Sequence, residues 1–206
     1  MKNKLVKGFD RLAPIYDSLA QLIIGKGIQK SQLHFLNYLK EKKKLLILGG
    51  GTGWILPYIV DINPTLKIDY IELAPKMILK AKQSLKENTN INFIVGTEEN
   101  VPHHDYDCVL TNFYLDLFTD TKLNDVIGKI KKSLLPNAHW IATDFVSEQG
   151  WHKVMLWIMY RFFNIATGLM TYSLPQWENS LIQANGKLVV MKKYGREFIK
   201  TAVYQF

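Results

Sequence analysis

The chain is predicted to be a doubly wound α/β domain with a mostly parallel sheet, on three observations. Segments of strand-like and helix-like pattern alternate from Leu45 to Val146. The first of them, Leu45 to Leu48, is an unbroken apolar run, which suits a strand covered on both faces. That run opens directly into Gly49-Gly50-Gly51-Thr52-Gly53, a turn that lets the backbone come close to a ligand. Alternation of this kind implies βαβ units joined by right-handed crossovers.

Taken in order, residues 4–20 and 22–40 are expected as two helices, with Leu5, Phe9, Leu12, Ile15, Tyr16 and Leu19 on one side of the first. Pro14 falls inside that helix and should bend or break it. Strands follow at 45–48 and 67–73, then a helix at 75–86 opened by Pro75, then strands at 91–95 and 106–112. A helix at 121–135 leads to a strand at 139–146. After Gly150 come a long apolar helix, a shorter one at 174–185 and two closing strands, 187–194 and 197–204. Gly195-Arg196 between them reads as a tight antiparallel hairpin.

The chain has 206 residues, 48% of them hydrophobic and 21% charged, which excludes disorder and fits one folded unit. The net charge of +8 raises nucleic acid as a partner, but the basic residues are dispersed. Their one dense run, Lys40–Lys44, suits a solvated helix end, and no Arg-rich tail accompanies it, so nucleic acid is not the expected partner. Cys108 is the single cysteine, which excludes an intramolecular disulfide and a cysteine-based zinc cluster; a cytoplasmic location is expected. His103-His104-Asp105 reads as an exposed loop, and no metal site is expected. The apolar stretch from Trp151 to Met170 is interrupted by His152, Lys153, Arg161 and Asn164, so no transmembrane segment is predicted.

The glycine turn carries the chemistry. Its spacing is G-x-G-x-G; Trp54 occupies the third glycine position of the NAD fingerprint, and no phosphate-binding P-loop pattern occurs. Glu72 ends the second predicted strand, 21 residues after Gly51. In a doubly wound sheet that position lies beside the first turn, where a carboxylate can accept hydrogen bonds from both ribose hydroxyls of a nucleoside.

Three further segments extend the pattern. Ile71-Glu72-Leu73-Ala74-Pro75-Lys76-Met77-Ile78 is similar to the second motif of the class I S-adenosylmethionine-dependent methyltransferases. Gly96-Thr97-Glu98-Glu99-Asn100-Val101-Pro102 resembles their third motif, and Tyr106–Asn112 their fourth strand. Phe9–Asp17 is similar to the entry segment of the ubiquinone and menaquinone biosynthesis branch. The resemblance implies a Rossmann-like sheet of seven strands and S-adenosyl-L-methionine as cofactor. It places the cofactor over Gly49, Gly50, Gly51 and Gly53, with Glu72 on the ribose and Thr97 or Glu98 near adenine. Tyr16, Leu73, Met77 and Asn112 complete the implied site. Two positions depart from the family: Ile47 stands where an acid is usual, and Thr97 where adenine usually meets an Asp.

The chain then divides into an N-terminal helical cap (1–42), a cofactor-binding core (43–146), an apolar lid or interface (147–186) and closing strands (187–206). Methyl transfer from a sulfonium expels a neutral leaving group, so alignment and desolvation can supply most of the acceleration. No catalytic residue stands out; Asp116 and Asp144, at the carboxyl ends of predicted strands, are the candidates for a substrate or base role. The expected acceptor is a small molecule, because the chain has no room for a separate recognition domain. Residues 151–170 carry more apolar surface than one helix face can bury. They are expected either to form a contact between two copies of the chain or to roof a lipophilic or aromatic acceptor, with Met155, Trp157 and Met159 in the roof. The rivals are an RNA methyltransferase drawing on the +8 charge and a non-catalytic cofactor-binding scaffold, the latter suggested by Ile47 and Thr97.

Overall fold

The computed structural model describes residues 2–13, 27–85, 90–103, 105–168 and 173–206. Its centre is a seven-stranded sheet in the order β3-β2-β1-β4-β5-β7-β6. The strands are β1 (Lys44–Leu48), β2 (Lys67–Glu72), β3 (Ile91–Val95), β4 (Tyr106–Asn112), β5 (Leu134–Phe145), β6 (Lys187–Tyr194) and β7 (Ile199–Gln205). The first five pair in parallel, and β7 runs antiparallel to both β5 and β6. This is the predicted mostly parallel sheet closed by an antiparallel hairpin.

Helices cover both faces: α1 (Lys2–Leu12), α2 (Gly27–Leu33), α3 (Leu56–Ile62), α4 (Pro75–Gln83), α5 (Asp120–Lys131), α6 (Gly150–Thr167) and α7 (Trp177–Gln183). The strand period of two divides β1 between the two layers. Leu45 and Ile47 pack with Leu36, Leu39, Ile55 and Ile59 on one face. Leu46 and Leu48 pack with Val126, Ile127, Trp140 and Trp177 on the other. All four β1 side chains are buried, which is why the run is continuously apolar. Cys108 is buried in the first of these layers, and burial pushes its thiol up to about 12, so it is an inert core residue.

Several boundaries differ from the sequence expectation. The first helix ends at Leu12, and the predicted positions Pro14, Ile15, Tyr16 and Leu19 lie outside the described residues. In place of one helix over 22–40 there is α2 and then a 3-10 turn, Leu36–Leu39. Leu36 and Leu39 are three apart, so the tighter 3-10 geometry aligns both into the core beside α3. The helix expected to reach residue 135 stops at Lys131, and Leu134 already belongs to β5. That strand absorbs Pro136 and Asn137 through an irregular register against β4, with Asn137 at φ +63° donating its N–H to the Phe206 carbonyl.

The closing hairpin is wider than two residues. Gly195, Arg196 and Glu197 all take positive φ, and the Phe198 N–H donates to the Gly195 carbonyl. The extra length turns Phe198 inward against Phe145 and Leu156. Among the described residues no helix is long and apolar enough to cross a membrane.

Candidate active site

β1 lies between β2 and β4, so the connections after β1 and β4 diverge on opposite sides of the sheet. Such a switch point opens a crevice at the carboxyl ends of the strands. Here it holds a cavity of about 340 Å³, within the usual range for small ligands. The glycine turn forms its floor. Gly49 and Gly50 donate their N–H groups to the Ile71 carbonyl, and Tyr70 donates its hydroxyl to the Gly51 carbonyl. Gly50 has no room for a side chain, because a Cβ there would lie 2.1 Å from the Tyr70 ring. Gly51 differs: its φ is +65°, and a Cβ would meet no atom of the described residues within 4 Å. The vacant side of Gly51 is cavity.

Glu72, at the end of β2, is buried beside this turn. Its Oε2 accepts the Gly51 N–H at 2.9 Å and its Oε1 the Ala74 N–H at 2.8 Å. Burial raises its pKa, and the backbone N–H groups of Ala74, Gly51 and Leu73 oppose that rise. A carboxylate has about four lone-pair sites, so these backbone groups leave acceptor capacity for a ligand. Leu73 and Met77 line the cavity next to it.

On the far side of β2, Thr97 and Glu98 also line the cavity, with their side chains already engaged. The Thr97 hydroxyl accepts the Glu99 N–H at 3.3 Å, and Asn100 Oδ1 accepts the Thr97 N–H at 3.1 Å, together capping a 3-10 turn. Glu98 is buried, accepts the Tyr114 hydroxyl at 2.9 Å and lies 3.9 Å from the Lys122 ammonium. Ile47 lines the wall where the usual acid would stand.

The β4 and β5 side of the cavity is organised by two buried carboxyl groups. Asp144 Oδ2 accepts the N–H groups of Leu115 (3.0 Å) and Asp116 (3.2 Å), and its Oδ1 accepts the Phe145 N–H (2.9 Å). It thereby holds the 3-10 turn Leu115–Leu117 against the sheet, with Asp116 on the cavity. Burial raises both pKa values, and the neighbouring Asp116 adds to the rise at Asp144. Just before this turn Phe113 sits at φ +53°, a sparsely populated conformation held by its N–H bond to the Thr143 carbonyl at 2.7 Å.

Thus the structure brings together Gly49, Gly50, Gly51, Glu72, Leu73, Met77, Thr97, Glu98, Asn112 and Asp116 on one cavity. Gly53 packs against α4 instead, since a Cβ there would lie 2.4 Å from that of Ala81. Asp144 supports the wall from behind, and Tyr16 lies outside the described residues. Helix α6 contributes Met159, Tyr160 and Phe163 to the wall. Trp157, expected in the roof, is 63% exposed under the Arg161 guanidinium, and Met155 packs behind the wall. Sequence reasoning missed Tyr160 and Phe163 on α6 and Gln29 and Gln32 on α2, because the sequence of a helix does not declare which of its faces meets a cavity.

Residues 45–137 match the family described as methyltransferase domain. That segment makes up a little under half of the chain. Among curated relatives, the chain is similar to malonyl-[acyl-carrier protein] O-methyltransferase 1 of Ilyobacter polytropus, with 33% identity over 54% of this chain and 41% of that protein. It is also similar to the malonyl-[acyl-carrier protein] O-methyltransferase of Acetivibrio thermocellus, with 32% identity over 65% of this chain and 46% of that protein. The chain thus spans less than half the length of these two relatives. They give no support to the ubiquinone and menaquinone branch that Phe9–Asp17 resembles. The Burkholderia thailandensis 1,6-didemethyltoxoflavin-N1-methyltransferase, solved with its substrate and S-adenosylhomocysteine, shares the fold at a TM-score of 0.69. That match has 12% identity and covers 97% of this chain and 87% of the other.

Proposed function

We infer that the protein is an S-adenosylmethionine-dependent methyltransferase acting on a small aromatic or lipophilic acceptor. The observation that carries this reading is the continuity of one cavity, from the glycine turn and Glu72 at one end to Phe113, Phe145, Met159 and Phe163 at the other. The open side of Gly51 and the remaining acceptor capacity of Glu72 fit a ribose. Thr97 and Glu98 mark the adenine end, while Leu73 and Met77 supply apolar contacts. When bound, S-adenosylmethionine supplies an electrophilic methyl carbon that bonds to an acceptor lone pair as the carbon–sulfur pair returns to sulfur. The chain's contribution is alignment and the exclusion of water, for which the aromatic end of the cavity is suited. A second reading, a malonyl group on a carrier protein, is favoured by the names of the relatives at 32–33% identity.

Titration calorimetry tests the cofactor. S-adenosylhomocysteine is expected to release heat with one-site stoichiometry and NAD none; heat from NAD alone overturns the reading. The acceptor wall is tested by two variants on one helix. Met159→Ala is expected to raise the acceptor KM by about 10- to 20-fold, the effect of losing roughly two buried methylenes, and to leave S-adenosylhomocysteine affinity unchanged. Trp157→Ala, on the solvent side, is expected to leave both parameters at wild-type values.

A further inference from the structure

Among the described residues, three that line this cavity each carry a buried polar atom without a hydrogen-bond partner: Asn112 Oδ1, Asp116 Oδ1 and the Tyr160 hydroxyl. They come from three elements, the end of β4, the turn after it and helix α6. An orphaned buried polar atom carries a desolvation penalty of about 1–3 kcal/mol, so three on one cavity wall point to a ligand that satisfies them. The charge of the lining narrows that ligand. Among the described residues the cavity has the carboxyl groups of Glu72, Glu98 and Asp116 and no Lys, Arg or His. A carboxylate entering this cavity meets like charge from the lining and no protein cation among the described residues. A hydroxyl meets two acceptor oxygens and one donor.

We propose that the acceptor is a neutral aromatic molecule whose nucleophilic atom is a hydroxyl oxygen, seated by Asn112 and Tyr160, and that Asp116 Oδ1 takes the hydroxyl proton. The proposal rests on the methyltransferase reading of the same cavity. In the step, the O–H bonding pair stays on oxygen and the proton passes to the Asp116 carboxylate as the new carbon–oxygen bond forms. The titratable groups facing Asp116 are Asp144 from β5 and Tyr160 from α6. Burial and the two carboxyl groups push the Tyr160 hydroxyl up, so it remains a donor toward the acceptor oxygen. Burial pushes Asp116 up to about 7, so the proton-accepting form is gained as pH rises through neutrality. Asp144 accepts three backbone N–H groups, yet burial and the neighbouring Asp116 still raise its pKa, so Asp116 is the member of the pair placed to exchange a proton with a ligand in the cavity.

The test compares 2-naphthol with 2-naphthoate, which share a ring system, by calorimetry on the full chain saturated with S-adenosylhomocysteine. The naphthol is expected to bind at least about 10-fold more tightly, the scale of one hydrogen bond to a charged group. Asp116→Asn is expected to remove most of that preference and leave S-adenosylhomocysteine affinity intact. Methyl transfer to the naphthol is expected to rise with pH between about 6 and 8 in the wild type and to be flat in the variant. Equal or tighter binding of the naphthoate, methylation of a malonyl thioester in preference to the naphthol, or binding of neither ring compound overturns the proposal. Failure of S-adenosylhomocysteine to bind in the first titration removes the methyltransferase reading instead.

Discussion

Gly51→Val is expected to abolish measurable S-adenosylhomocysteine binding while the protein still melts cooperatively. The Gly51 backbone sits at φ +65°, a left-handed conformation that a β-branched residue adopts at a penalty of about 1–3 kcal/mol. Among the described residues no atom lies within 4 Å of the added Cβ, so the new side chain clashes with none of them. It stands in the cavity instead, where the ribose and sulfonium end of the cofactor would lie, and the loss in affinity is expected to be at least about 100-fold. Calorimetry gives the affinity and a thermal melt gives the fold. Gly50→Ala is the contrast, since its Cβ at 2.1 Å from the Tyr70 ring should damage folding itself. Wild-type affinity in Gly51→Val would place the cofactor elsewhere.

Glu72→Ala is expected to weaken S-adenosylhomocysteine by about 1.5–3 kcal/mol, the worth of a hydrogen-bonded charged partner. The alanine also strands the Gly51 and Ala74 N–H groups that the carboxylate now accepts, so the turn loses a brace as well as the proposed ribose contact. Glu72→Gln keeps the side chain's length and one acceptor oxygen, and should recover part of the affinity. The pH dependence separates the two roles. Burial holds the Glu72 pKa above the ordinary glutamate value, so its charged form is lost earlier as pH falls than it would be in solvent. Wild-type affinity is therefore expected to decline as pH is lowered through that raised pKa, and the glutamine variant to decline less. A wild-type profile in Glu72→Gln would mean that the carboxylate's charge is not what the cofactor reads.

Much of the site was legible before any coordinates because its signals are short in sequence. The β1 run and the turn are contiguous, and Glu72 follows Gly51 by one βαβ repeat, a distance set by strand and helix lengths. Gly96, Thr97 and Glu98 of the third motif do line the cavity, but spacing says nothing of the partners their side chains take within the chain. Thr97 is committed to capping its own turn and Glu98 to the Tyr114 hydroxyl, and neither partner can be inferred from spacing. The hairpin width was misjudged because the deciding residue is Phe198, whose place against Phe145 depends on a strand more than fifty positions earlier.

The sequence by itself determined the alternation of strands and helices, the burial of β1 on both faces and the apposition of the glycine turn with Glu72. These follow from hydrophobic periodicity and backbone permissiveness, which act between near neighbours. Only the tertiary structure decided which face of α6 meets the cavity, sending Met159, Tyr160 and Phe163 inward and Trp157 to solvent. It also brought Asp144 under Asp116 across 28 residues, leaving one carboxyl fixed by backbone N–H groups and the other facing the cavity. The reason is physical: the environment of a buried polar atom depends on the elements packed around it, and those are chosen by the whole fold and not by the residues beside it in the chain.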